Sequence, residues 1–101
     1  MVTNWFSVVP EVRFKLEWPD GQFSTLYSPS TVILEYFKAG DVYRISEFES
    51  VGVKALRLAS DRVRARYGFA CTRTDEEESQ LLQWTSRYRP EQNVRVHSQL
   101  S

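Results

Sequence analysis

The chain has one cysteine, one histidine and four scattered glycines in 101 residues. A single thiol forms no internal disulfide, so the fold must be held by packing, and a reducing compartment suits it. One cysteine and one histidine do not make the Cys/His ligand set of a zinc site within one chain. Gly21, Gly40, Gly52 and Gly68 lie far apart, and none opens a glycine-rich phosphate loop. There is no Gly-x-Ser-x-Gly elbow, and the one imidazole, His97, sits in a polar tail expected to be mobile, so neither a Cys-His pair nor a Ser-His-Asp set has a usable histidine. No apolar run approaches the roughly 20 residues that span a bilayer. The first ten residues hold no lysine or arginine, which a secretory signal would need. Thirteen basic and thirteen acidic side chains cancel, which argues against nucleic-acid or membrane binding driven by total charge. The expectation is a cytoplasmic domain with no membrane segment, no cofactor and no catalytic or metal-binding motif.

What the chain does have is a clear apolar pattern. It is 42% hydrophobic and rich in rings, with three Trp, five Tyr and six Phe. A chain of this length supports one core, and large rings help a small domain to fill it. Val12, Phe14, Leu16 and Trp18 alternate with Arg13, Lys15 and Glu17, which marks a strand with one buried face. Pro19-Asp20-Gly21 makes a tight turn, and residues 22–27 return as a second strand with Phe23, Thr25 and Tyr27 on one face. Ser28 and Pro29 then suit the cap and first position of a short helix striped with Val32, Ile33, Tyr36 and Phe37 and closed by Gly40. Residues 41–45 form a third strand.

The dominant feature is the run 49–67, closed by Gly68 and preceded by Ser46 and Glu49 in capping-box spacing. Val51, Ala55, Leu58, Ala59, Val63 and Tyr67 fall on one broad helical face. Trp18 and Leu58 are therefore expected in the core. Thr74 and Glu77 form a second capping box, opening a last helix with Leu81, Trp84 and Tyr88 on one side. The fold class is α+β, a small antiparallel sheet of a hairpin and a third strand packed against two to three helices in the order ββαβαα. Residues 1–9 read as an extension, 10–89 as the single domain and 90–101 as a polar flexible tail. Sheet edges invite further pairing, so a fourth strand from residues 69–71 or 6–9, or a second copy of the chain as a homodimer, is a way to cover them.

Between Glu49 and Arg73 the chain carries Lys54, Arg57, Arg62, Arg64, Arg66 and Arg73 against two acids, Glu49 and Asp61. Lys54, Arg57, Arg64 and Arg73 are the candidate partner-binding residues, because arginine forks suit carboxylates and their stems cover apolar surface. The alternative is a solvated face, offset by the acids at 75–78 and by an Arg57–Asp61 pair at i,i+4 spacing. No aromatic residue interleaves these arginines at exposed helical positions, which weakens a base-stacking role for the helix. Cys71 follows Phe69 and Ala70 and is expected to be a poorly accessible hydrophobe rather than a nucleophile.

Two blocks carry a family resemblance. One runs from Val12-Arg13-Phe14 through Trp18-Pro19-Asp20-Gly21 to Tyr27-Ser28-Pro29-Ser30. The other is Ala55-Leu56-Arg57-Leu58-Ala59-Ser60-Asp61-Arg62-Val63-Arg64-Ala65-Arg66-Tyr67-Gly68-Phe69-Ala70-Cys71. Over residues 10–85 the chain resembles a family of short bacterial nitrogen-starvation response proteins. The resemblance implies a cytoplasmic protein encoded beside a nitrilase, a radical-type enzyme, an acetyltransferase and a flavoprotein. It brings no catalytic or binding residue with it. Three functions fit: an accessory or regulatory domain that binds a protein partner, a small nucleic-acid-binding regulator using the arginine-rich helix, and a subunit of a multi-component enzyme.

Overall fold

The computed structural model describes residues 11–68 and 72–100. The extension at 1–9, both proposed sources of a fourth strand and Cys71 lie outside these residues. The elements are β1 (Val12–Glu17), β2 (Phe23–Ser28), a short 3-10 helix (Thr31–Glu35), β3 (Val42–Arg44), α1 (Ile45–Tyr67), α2 (Thr72–Thr85) and β4 (Asn93–Gln99). They build an α+β domain with a four-stranded antiparallel sheet in the order β2-β1-β4-β3.

The hairpin forms as its pattern predicts. Val12, Phe14 and Leu16 are buried along β1, and Trp18 is only 4% exposed. Gly21 takes a positive φ of 86° in the turn. Its N–H donates to the Trp18 carbonyl at 2.9 Å, and the Trp18 N–H donates to the Gln22 carbonyl at 2.8 Å. On β2 the core side is Leu26 and Ser28, and Phe23, Thr25 and Tyr27 share the other face. The cap after β2 falls two residues later than expected. Ser28 is still in the strand, opposite Val12, and the cap is Ser30, whose hydroxyl accepts the Val32 N–H at 3.2 Å.

The start of α1 departs from the sequence expectation. The helix begins at Ile45, so Ser46 and Glu49 lie inside it and form no capping box, and its N-cap Arg44 makes no side-chain cap bond. A neighbouring loop satisfies the free donors instead. The Ile45 N–H donates to the Gln92 carbonyl at 2.8 Å and the Ser46 N–H to the Pro90 carbonyl at 3.1 Å, which meets the orphan-donor requirement from a distance in sequence. Glu49 is thereby left to accept a hydrogen bond from the Thr85 hydroxyl of α2. Thr74 similarly lies within α2, and the Glu77 carboxylate is spent on Arg73 and on the Tyr27 N–H of β2.

The buried seam of α1 is rotated from the expected one. It comprises Ile45, Phe48, Gly52, Ala55, Leu56, Ala59 and Val63. Leu56 is fully buried and Leu58 only half-buried. The cause is that α1 meets two neighbours, the sheet on one side and α2 on the other, so the stripe widens toward Gly52 and Leu56. Gly68 ends the helix as expected, with φ 79° and its N–H on the Arg64 carbonyl at 2.8 Å.

The expected flexible tail is instead a central strand of the sheet. β4 lies between β1 and β3, pairing Leu16 with Val96 and Tyr43 with Val94. Val94 and Val96 are fully buried, and Asn93, Arg95 and His97 between and beside them are exposed. The alternation holds only two apolar residues because one face of this sheet is open, so its periodicity is faint. The order is therefore ββαβαα with a further β, and the domain extends past residue 89. The loop at Gly40 and Asp41 also grips β4: the Gly40 N–H donates to the Val96 carbonyl at 2.6 Å, and the Val96 N–H to the Asp41 carbonyl at 2.8 Å.

An aromatic cluster fills the space between sheet and helices. Trp18 meets Phe48 edge-on at 5.8 Å, and Phe37 stacks on Phe48 at 5.2 Å. Trp18 donates its ring N–H to the Ser24 hydroxyl at 3.0 Å, so its polar edge is satisfied.

Candidate functional site

The residues singled out from the sequence are divided by the fold. Lys54, Arg57 and Arg64 are all exposed on α1, at spacings that place them along one stripe. Arg73 is on α2 and faces β2: its guanidinium lies 4.0 Å from the Tyr27 ring centroid, and its Nε is 3.5 Å from Glu77 Oε2.

The stripe on α1 borders a shallow groove of about 510 Å³ lined by Glu49, Ser50, Val53, Lys54, Arg57 and Leu58. Val53 and Leu58 are half-buried and supply its apolar floor, and Lys54 and Arg57 are its cationic rim. The Arg57 guanidinium is held in place by α2. Its Nε donates to Glu78 Oε1 at 3.0 Å and its Nη2 to Oε2 at 3.3 Å. This replaces the expected Arg57–Asp61 pair, because a carboxylate from a neighbouring helix can meet both prongs of the fork. The hydrogen bond to Glu78, followed by its charge, raises the Arg57 pKa. Among the described residues, Arg64 makes no ion pair.

A second cleft, of about 340 Å³, lies between the start of the 3-10 helix and the last turns of α1, with Thr31, Arg62, Arg66 and Tyr67 among its lining residues. A third, also about 340 Å³, lies between α1 and α2 and gathers Arg57, Asp61, Asp75 and Glu78. Among the described residues no three His, Cys, Asp or Glu side chains are grouped to hold a metal ion. No helix among them is long and apolar enough to cross a membrane.

Sequence reasoning misplaced one residue of chemical interest. His97 belongs to β4, not to a mobile tail, and its ring meets Phe23 edge-on at 5.5 Å. The available signal was the alternation around Val94 and Val96.

No curated protein and no solved structure matches the chain. A family model does, described as nitrogen starvation-induced protein NitG, and it covers residues 13–99. The match reaches past the resemblance read from the sequence and includes β4. It runs from the second residue of β1 to the last of β4, so the match spans the folded domain, and the chain belongs to the nitrogen starvation-induced protein NitG family.

Proposed function

We propose that the protein is a cytoplasmic, non-catalytic accessory domain of a bacterial nitrogen-starvation response that binds a protein partner through the exposed stripe of α1. The observation that carries this reading is the groove at Val53 and Leu58, an apolar floor with Lys54 and Arg57 on its rim. Such a surface suits a partner segment that offers an apolar side chain beside a carboxylate. Arginine is favoured at interfaces for this combination. Glu78 pre-orients the Arg57 fork, which lowers the ordering cost of engaging a partner. The same pairing leaves Arg57 less suited to phosphate than to a partner that also contacts Glu78, so a protein is favoured over nucleic acid on this helix.

The test is an affinity pull-down from nitrogen-starved cells with the parent and with a double variant, Arg57→Ala and Arg64→Ala. Both side chains are exposed, so the double change should leave the fold intact. Partner recovery should fall. Undiminished affinity of the double variant for every recovered partner would retire the α1 surface as the interface.

A further inference from the structure

The sheet has a second face, opposite the apolar core, which α2 reaches at the β2 edge through Arg73 over the Tyr27 ring. Strand register gathers Arg13 and Lys15 from β1, Phe23 from β2, Arg95 and His97 from β4, and Arg44 from β3 on this side. The strands themselves contribute one acid to it, Glu17, 4.0 Å from Arg95, while Glu11 just before β1 pairs with Arg13. The face is therefore basic although the whole chain is neutral.

Rings and cations are interleaved here, as they are not on α1. Phe23 is 50% exposed. The Lys15 ammonium lies 4.4 Å from its ring centroid, and the His97 ring meets it edge-on at 5.5 Å. A register shift sets this up. Lys15 pairs with Ser98 and Leu16 with Val96, so His97 is left opposite no residue of β1 and reaches across that strand toward Phe23. Bulges commonly re-aim a side chain in this way beside binding sites.

We propose that this open face binds single-stranded nucleic acid, with bases stacking on Phe23 and His97 and phosphates held by Lys15, Arg95 and Arg44. An open antiparallel sheet bearing aromatic rings is a surface on which unpaired bases stack, and flanking cations track the backbone. A duplex hides its base faces and gains only the charge contribution. The face lies across the sheet from the α1 groove, so the inference goes beyond the protein-binding reading and the two are tested by different substitutions.

The experiment is a fluorescence-anisotropy titration of the full chain, at low and at physiological salt, with labelled oligouridylate, oligothymidylate and a duplex of matched length. Strands of about ten nucleotides suffice for a surface of this size. The expected result is binding of single strands more tightly than duplex, weakened about tenfold or more by Phe23→Ala through lost stacking. Replacing Lys15 and Arg95 by Ala should reduce the salt slope by about one to two units. The Arg57→Ala, Arg64→Ala variant should bind like the parent. Preference between the uridylate and thymidylate arms tells RNA from DNA. A folded Phe23→Ala variant, checked by circular dichroism, that binds like the parent would overturn the proposal. So would duplex binding as tight as single-strand binding, or no binding at low salt. Loss of a pulled-down protein by Phe23→Ala, without oligonucleotide binding by the parent, would overturn it in favour of a protein-docking sheet.

Discussion

Gly52 of α1 lies so close to Leu81 of α2 that a methyl group on its Cα would come within 2.6 Å of Leu81 Cδ1. The glycine is what lets the two helices approach. Leu81 is fully buried, so its side chain has little room to yield. Alanine would gain up to about 1 kcal/mol of helix propensity and lose about 1–3 kcal/mol to overpacking. Gly52→Ala is expected to destabilise the parent and to stabilise a Leu81→Ala background by roughly 1 kcal/mol. Urea unfolding of the four proteins of the cycle checks this. An equal effect in both backgrounds would mean that the helices are not in contact at this point.

The position of β4 sets a second expectation. Val96→Ala should cost about 2 kcal/mol, because a fully buried valine loses two methyl groups in a packed layer. A chain ended at Pro90 should show no cooperative unfolding, since it loses the strand between β1 and β3 and the carbonyl of Gln92 that serves the start of α1. A sharp thermal transition in that shortened protein would show that the sheet does not depend on residues 93–99.

Two phenols give a pH dependence. Burial, then the charge of Asp41 and a hydrogen bond with it, raises the Tyr43 pKa. Burial, then a hydrogen bond with Asp20 at 2.9 Å, raises that of Tyr88. Each phenol thus keeps its proton to higher pH in the native state than in the unfolded chain. Above the ordinary tyrosine value of about 10, the unfolded state has released protons that the native state still holds, so stability falls as pH rises. Their contribution is complete below about pH 10 and is lost through the folded values above it. Urea midpoints measured across this window should decline, and Tyr43→Phe with Tyr88→Phe should make the decline shallower. Parallel curves for parent and double variant would remove both phenols from the account.

Local features were legible in the sequence. The alternation from Val12 to Trp18, the Asp20-Gly21 turn and the Gly68 cap each depend on neighbours in the chain, and each formed where the pattern put it. The capping boxes at Ser46 and Thr74 were sound local patterns overruled by distant groups: carbonyls of Pro90 and Gln92 in one case, and the uses found for Glu77 in the other. The seam of α1 was misjudged at Leu58 because periodicity shows that a helix has an apolar face, not how many elements share it. Of the basic candidates, the exposure of Lys54, Arg57 and Arg64 could be read from their places around the helix. The Arg57–Glu78 fork could not, since it requires the placement of α2. The cationic sheet face was invisible for the same reason, its members coming from three strands and its ring from a fourth.

β1 pairs on one side with the strand next in the chain and on the other with the last strand, Leu16 against Val96. During synthesis the hairpin can close as soon as β2 leaves the ribosome, but β1 and β3 must wait with bare edges until residues 93–99 emerge. The first turn of α1 waits with them, because the carbonyls of Pro90 and Gln92 arrive only then. Such long-range pairing slows folding, and unpaired edges are prone to association. An interrupted translation product lacking β4 is thus a sticky fragment, suited to disposal, and the protein becomes itself only when the last strand is in hand.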